Sequence, residues 1–401
     1  MTHLANTLTR LMALALLLSA STTLQAQSAD REQEFTVTAG GTLTINSDAG
    51  NMEVNTWDQN RVRVRVRNTN GFDVQMQQRG NDVEVIAESE GGRLFGLRRN
   101  SNISFNVDVP VTYNLELDTG GGHIEVSDIN GEVEVDTSGG YIEIGRVTGG
   151  DVNADTSGGH ITVEYVDGDV VADTSGGNIT IGDVTGDASA DTSGGKITIG
   201  NVAGNMLADT SGGNIEVGEG GGRVSLDTSG GSIRAGWARG ELVADTSGGN
   251  IFLAGGDSSV KADTSGGNIT IEGGHGPVTA DTSGGRITIS GTTGPVHADT
   301  AGGRIEVDLS AVSGRVGGEV VLDTAGGDIT LRIPADLAAT IDAELEVSRR
   351  SRGDYRIYTD FPLTVREEDR RIIGRGDING GGDRIQLKTS NSDIHIISVS
   401  N

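Results

Sequence analysis

One five-residue phrase, Asp-Thr-Ser-Gly-Gly or a close variant of it, recurs twelve times in this 401-residue chain. The aspartates that open it are Asp118, Asp136, Asp155, Asp173, Asp191, Asp209, Asp227, Asp245, Asp263, Asp281, Asp299 and Asp323, mostly 18 residues apart. If each phrase occupies the same place in a stacked coil, its carboxylate lies about 5 Å from the next and repels it by roughly 0.8 kcal/mol in water. Such a column favours bound cations. Calcium suits it, because calcium accepts several oxygen ligands in a flexible geometry.

The candidate cation ladder comprises nine of these aspartates: Asp136, Asp155, Asp173, Asp191, Asp209, Asp227, Asp245, Asp263 and Asp281. The phrase supplies one carboxylate per coil, and it matches neither the EF-hand spacing nor the nine-residue calcium repeat. In the alternative interpretation, the aspartate carboxylate caps a corner of the coil, and the two glycines adopt positive φ there. We therefore expect either a calcium ladder or corner chemistry without a cofactor.

No other group of side chains points to catalysis. The chain has no GxSxG, HExxH or phosphate-binding loop. His123 and His160 share an outward slot but lie two coils apart, roughly 10 Å at the spacing of β-strands, which is too far to bind one metal directly. The coils from Asp155 to Asp299 carry no insertion that could wall a groove. The sequence predicts no catalytic and no cofactor-binding residue, and we expect a protein that is not an enzyme.

Within each 18-residue period, apolar and polar residues alternate, which indicates short, half-buried strands. With the aspartate as position 0, positions 6 and 8 are apolar, as at Ile179 and Ile181. The residues three and one before the next aspartate are apolar as well, as at Val170 and Ala172. Position 11 is also apolar in the early coils but becomes small later, as at Gly220. This regular repeat predicts an all-β parallel β-solenoid of about twelve coils, each adding about 4.8 Å.

The segments at 31–117 and 331–401 flank the repeat region at 118–330, and we expect them to be β-rich caps. The first contains RVRVRVR and other alternating strands that would cover the exposed edge of the first coil. In the second, KTSNSDIHI echoes DTSGGNITI, which predicts a last coil after a less regular insertion. A solvated face is the expected role of the clustered arginines Arg349, Arg350, Arg352, Arg370, Arg371 and Arg375.

Composition and the N-terminal segment limit the partners and the location. The net charge of −27 argues against nucleic acid and anionic lipid as partners. Cysteine is absent, which excludes disulfides and thiol chemistry. Residues 1–26 have the features of a signal peptide, with Arg10 before an apolar run and small residues before the cleavage point; a retained anchor is the alternative. No later segment reaches the roughly 20 apolar residues of a membrane span. We expect export to the periplasm, the cell surface or the medium.

Four stretches carry a resemblance to a known family: NMEVNTWDQNRVRV, VDVPVTYNLELDTGGGHIEV, the repeated DTSGGxI, and GRGDINGGGDRIQLKTSNSDIHI. They resemble the bacterial β-strand-repeat family whose members are described as adhesins and whose domain is of unknown function. The resemblance covers nearly all of the mature chain and rests on glycine turns and alternating strands. It implies a secreted or envelope-located β-solenoid, and it offers no catalytic residues.

The sequence thus favours an adhesin or structural protein of the bacterial envelope that contacts a glycan or protein surface through rows of polar groups. The asparagines at position 5 form one such row: Asn178, Asn214, Asn250 and Asn268. The alternative is a carbohydrate-active or carbohydrate-binding β-helix. The aromatic residues that it would need are expected to sit coils apart: Tyr141, Tyr165, Trp237 and Phe252.

Overall fold

The computed structural model describes residues 30–90, 102–310, 314–349, 351 and 353–399, and these ranges contain strands but no helix. The predicted signal peptide, as well as Arg350 and Arg352, lies outside the described residues. The predicted all-β solenoid is confirmed: two open sheets, here called sheet A and sheet B, run along one axis, and each coil contributes a strand to both. In the part of the chain described, no helix combines the length and the apolar character that crossing a membrane would require.

Seven strands precede the first repeat. They are β1 (Arg31–Thr36), β2 (Thr42–Ser47), β3 (Asn51–Trp57), β4 (Arg61–Arg67), β5 (Phe72–Arg79), β6 (Asp82–Ser89) and β7 (Ser104–Pro110).

In the repeat region, each strand of sheet B ends at the Asp-Thr of the repeated phrase. These strands are β8 (Asn114–Thr119), β11 (Val133–Thr137), β13 (Val152–Thr156), β15 (Val170–Thr174), β17 (Ala188–Thr192), β19 (Met206–Thr210), β21 (Val224–Thr228), β23 (Leu242–Thr246), β25 (Val260–Thr264), β27 (Val278–Thr282), β29 (Val296–Thr300) and β31 (Val320–Thr324). Their neighbours pair in parallel and in register, so that Asp173 lies between Asp155 and Asp191.

The strands of sheet A follow the Ser-Gly-Gly corner. They are β9 (Ile124–Val126), β10 (Ile129–Asn130), β12 (Ile142–Thr148), β14 (Ile161–Asp167), β16 (Ile179–Val184), β18 (Ile197–Ile199), β20 (Ile215–Val217), β22 (Ile233–Ala238), β24 (Ile251–Gly256), β26 (Ile269–Ile271), β28 (Ile287–Thr292), β30 (Ile305–Leu309) and β32 (Ile329–Pro334). The residues at position 11 of successive coils also pair with each other. In the early coils this pairing lies within the strands, and in later coils it forms isolated bridges such as Val202↔Gly220.

Six strands follow the last repeat: β33 (Ala339–Glu346), β34 (Ile357–Thr359), β35 (Thr364–Glu368), β36 (Arg371–Ile378), β37 (Asp383–Ser390) and β38 (Ile394–Val399). The predicted returning coil is present, because β37 and β38 contain the KTSNSDIHI stretch and pair in parallel with β31 and β32.

The stacking order differs from the chain order at both ends. The coil made by β2 and β3 lies between the first repeat and the coil made by β6 and β7. At the other end, the coil of β37 and β38 lies between β31/β32 and the outer strands β33 and β34. The first and last coils of the sequence are therefore internal layers of the stack.

Antiparallel strands cover most of the remaining edges, which would otherwise offer unpaired backbone groups to another chain. At the N-terminal end, β4 and β1 extend sheet A and β5 extends sheet B. At the C-terminal end, β36 and then the fully exposed β35 extend sheet B, while sheet A ends in the three-residue β34. The division into capping segments at 31–117 and 331–401 around a repeat region at 118–330 stays a prediction.

A single hydrophobic core runs from Phe35 to Ile396. Inward positions in the repeats hold isoleucine, valine, leucine and alanine, and one threonine per coil joins them in the interior. Sixteen parallel layers at about 4.8 Å per layer give a rod of roughly 70 Å. This geometry arranges the outward side chains in long columns, with one residue from each coil.

Candidate functional site

The repeat aspartates form one outward column on sheet B. In-register pairing places each of them opposite the next, from Asp118 through Asp323 to Lys388. Among the described residues, their carboxylates accept no hydrogen bond from a side chain or the backbone. Partial burial raises the pKa of seven of them, and repulsion from neighbouring aspartates adds to this: Asp136, Asp173, Asp209, Asp227, Asp245, Asp281 and Asp323.

The column brings together all nine residues of the predicted cation ladder. It offers one carboxylate per coil on an open face, and the described residues include no cluster of three or more histidine, aspartate or glutamate side chains arranged to hold a metal ion. Calcium binding by the ladder stays a prediction, and its test is given in the Discussion.

The threonine of the phrase, not the aspartate, holds the corner. Thr210 is buried, and its hydroxyl donates to the carbonyl oxygen of Gly195 in the preceding coil at 3.0 Å. The hydroxyl oxygen of Thr210 in turn accepts the backbone N–H of Gly213 at 3.3 Å. Equivalent donations of 2.7–3.0 Å recur along the stack. The expectation that the repeat aspartate caps this corner was wrong, because alternation directs the aspartate outward and the next residue inward.

Carboxylates do cap a different corner, four residues before the repeat aspartate. Asp151 accepts the backbone N–H of Asp169 at 2.8 Å, and Asp169 accepts that of Asp187 at 2.7 Å. The asparagines at position 5 act in the same way. Asn178 accepts the N–H of Lys196, and Asn250 accepts that of Asn268, both at 2.8 Å. The side-chain carbonyl of these asparagines therefore joins coils, and the amide of Asn268 also donates to Asn250 at 3.2 Å.

An acidic groove lies on the outer face of sheet A near the N-terminal end. It is shallow, open and about 550 Å³ in volume. We define it by its five carboxylates, Glu53, Glu125, Asp128, Glu143 and Glu164. Three of these come from one column, because Glu53 lies opposite Glu125, and Glu125 opposite Glu143. Hydrogen bonds from Asn55 and Asn106 lower the pKa of Glu53, so this side chain is a carboxylate at neutral pH.

Three aromatic rings border the acidic groove. His123 and Tyr141 stack with centroids 3.9 Å apart, and Tyr141 and His160 stack at 5.1 Å. The Tyr141 hydroxyl donates to Glu125, which together with burial raises the pKa of Tyr141 to about 12. Nε2 of His160 lies 3.6 Å from a carboxylate oxygen of Glu143. The two histidines lie on either side of the tyrosine, as the coil spacing predicts. Chemically, the groove can receive ammonium or guanidinium groups.

The exposed aromatics are less scattered than the sequence predicted. Tyr165 follows the coil of Tyr141 directly and packs under Arg146, with the guanidinium carbon 4.1 Å from the ring centroid. Trp237 and Phe252 also lie on neighbouring strands, β22 and β24.

The groove could have been found in part from the sequence. Asn46-Ser47-Asp48-Ala49-Gly50 echoes the repeated phrase, and this echo would have placed Glu53 in the column of Glu125. In the arginine-rich C-terminal part, Arg371 pairs with Glu344 at 3.4 Å and Arg375 with Asp342 at 2.9 Å. These two arginines are neutralised by neighbouring strands, in keeping with a solvated face rather than an anion site.

Comparisons with known proteins add little to this geometry. No protein-family model and no curated protein matches the chain. One similar solved structure is a candidate cell adhesion protein from Clostridium sporogenes ATCC 15579; it is 8% identical, the match covers 92% of this chain and 100% of that one, and the TM-score is 0.17. A candidate adhesin from Bacteroides fragilis NCTC 9343 is 12% identical, with 75% and 95% covered and a TM-score of 0.17. Both names agree with the family that the sequence resembles. A TM-score of 0.17 carries no weight for fold or function, which rest on this chain's own structure.

Proposed function

We propose that this chain is an exported, non-catalytic β-solenoid that serves as an adhesin or structural protein of the bacterial cell envelope. It would present repeated polar faces for multivalent binding to a glycan or protein surface. One observation carries the proposal: outward side chains repeat once per coil along a rod of roughly 70 Å, so that a partner with its own repeats can make many equal, weak contacts.

Several features support this proposal. The N-terminal segment has the composition of a signal peptide. Three grooves among the described residues lie partly open to solvent, unlike the enclosed pockets that most small-molecule enzymes use. The carboxylates of the acidic groove are held by amides, a tyrosine and a histidine, an arrangement that suits charge presentation better than proton transfer.

The experiment shortens the rod by whole coils. Deleting residues 191–208, or residues 191–226, removes one or two periods and leaves both caps and the acidic groove in place. Retention of each variant would be measured on chitin, cellulose and peptidoglycan particles and on layers bearing ammonium, hydroxyl or carboxylate groups. We expect retention on a neutral or cationic surface that falls with each coil removed. Retention on no surface, or retention independent of coil number, would overturn multivalent binding.

A further inference from the structure

One outward column changes character abruptly in the middle of the rod. At position 10, three successive coils carry the polar residues Asp183, Asn201 and Glu219; the next three carry Trp237, Gly255 and Gly273. The indole of Trp237 lies along the column over both glycines. A methyl group added to Gly255 or to Gly273 would come within 2.8 or 2.7 Å of its six-membered ring. Because neither glycine has a side chain, the indole can lie against the backbone of two coils.

Polar groups flank this indole. The His275 ring meets it edge to face, with centroids 5.4 Å apart. Nδ1 of His275 lies 2.9 Å from a carboxylate oxygen of Asp257, and both side chains remain well exposed, at 61% and 48%. On the neighbouring column, Arg234 stacks over Phe252 with its guanidinium carbon 4.3 Å from the ring centroid. Aromatic surface and exposed hydrogen-bonding groups thus lie together on the outside of the solenoid.

The other tryptophan shows what a purely structural indole looks like in this chain. Trp57 donates its N–H to the carbonyl oxygen of Arg61 at 2.8 Å, and the guanidinium carbon of Arg63 lies 4.7 Å from its ring centroid. Among the described residues, no arginine or lysine stacks on Trp237, which stays partly exposed.

We propose that Trp237, His275 and Asp257 form a stacking site for one sugar ring of an uncharged polysaccharide. The inference rests on the proposed function and names a partner class for it. The face of an indole carries negative charge density and attracts the polarised axial C–H bonds of a pyranose. The carboxylate and the imidazole beside it can bind equatorial hydroxyls, as the few convergent polar groups of ligand sites do. Acidic glycans are disfavoured by the net charge of −27.

The test uses the full mature chain with Trp57→Phe, in which Trp237 is the only tryptophan. Its fluorescence would be titrated with cellohexaose, with chitin hexasaccharide and with oligogalacturonate. We expect a saturable change with a neutral oligosaccharide. By calorimetry, a further Trp237→Ala change should weaken that binding about tenfold or more, as loss of a stacking platform does elsewhere. No saturable change with the neutral sugars, or equal binding of the acidic one, would overturn the assignment.

A second variant separates the platform from the fold. In Gly273→Ala, the new methyl group displaces the indole without removing it, and Gly273 does not have positive φ. We expect weaker sugar binding with an unchanged thermal midpoint. Full binding in this variant would contradict a role for the two glycines that support the indole. A single oligosaccharide reports only on Trp237. If Trp237→Ala leaves particle retention and its dependence on coil number intact, multivalent binding stands and this inference fails.

Discussion

At the scale of single residues, the aspartate, the threonine and the second glycine of the repeated phrase differ in what they contact. The buried threonine donates one hydrogen bond to the preceding coil and accepts one from a glycine of its own phrase, and the aspartate is directed to solvent. The backbone conformation of the second glycine does not explain why a glycine is needed there. Gly212 and Gly213 lack the positive φ that the sequence led us to expect. A methyl group on Gly213 would overlap the carbonyl oxygen of Gly195, whereas at Gly212 the nearest atom is 3.6 Å away. Close approach of coils, not backbone freedom, explains this glycine.

These two adjacent glycines make a matched pair. We expect Gly213→Ala to destabilise the protein by roughly 2–3 kcal/mol, because the new methyl group forces two backbones apart. Gly212→Ala should change stability by less than about 0.5 kcal/mol. Urea unfolding followed by circular dichroism measures both. Equal effects of the two changes would mean that the crowding at Gly213 is relieved by a small shift of the coil.

The aspartate column should make stability depend on pH. Burial first, and then repulsion from Asp209 and Asp245, raise the pKa of Asp227 in the folded state. The fold therefore favours the protonated carboxyl group. Its contribution to stability is fully present below the pKa of the unfolded state, about 3.9, and is lost as the pH rises through the pKa of the folded state. We expect Asp227→Asn to raise the thermal midpoint at pH 7 and low salt. The free energy of unfolding should increase by up to about 1 kcal/mol after solvent screening.

At pH 3 the same variant should match the parent protein. Asp58→Asn, in the exposed turn between β3 and β4, is the control that removes one charge outside the column. A stabilisation by Asp227→Asn that persists unchanged at pH 3, or one that Asp58→Asn reproduces at pH 7, would rule out repulsion within the column as its cause.

At the scale of elements, one strand in sheet B and one in sheet A per period keep every coil in register with the next. We expect deletion of residues 191–208, one whole period, to leave circular dichroism unchanged and unfolding cooperative. Deletion of residues 191–207 leaves Ala208 as one extra residue, so Asp209 would point inward. This variant should lose several kcal/mol or fail to fold, since it buries a charge without a partner. If both variants unfold alike, the coils do not depend on a fixed register.

The repeat strands were predictable because the alternation of Ile179, Thr180 and Ile181 fixes both the strand and its buried face. The corner capped by Asp169 was not predicted, because many residue types can fill a turn and the alternation stops there. The layer order at the ends could not be predicted either. KTSNSDIHI indicates a coil, but its place between β31 and β33 depends on contacts between residues far apart in the chain. The acidic groove could not be fully predicted for the same reason. Glu53 lies opposite Glu125 because β3 stacks directly on β9 at the N-terminal end.

At the scale of the whole molecule, charge of one sign accumulates along the rod. Residues 118–330 contain nine basic and 32 acidic residues, a net charge of −23. Cations should therefore stabilise the fold. Because each coil offers one open carboxylate to the ladder, we expect millimolar calcium and magnesium to raise the thermal midpoint equally, and further than sodium chloride of the same ionic strength. Melting in chelator sets the baseline. A rise specific to calcium would instead assign the aspartate column as a calcium site.

The layer order also sets a sequence of events in time. Synthesis and the proposed export both deliver the chain from its N-terminus, so β33 and β34 emerge before the two strands that must lie beneath them. The space between β32 and β34 has to remain accessible until residues 383–399 arrive. Completion of this part of the stack therefore waits for residues 383–399. A chain that stops before residue 383 would keep its twelve repeats but lack the layer between β32 and β34.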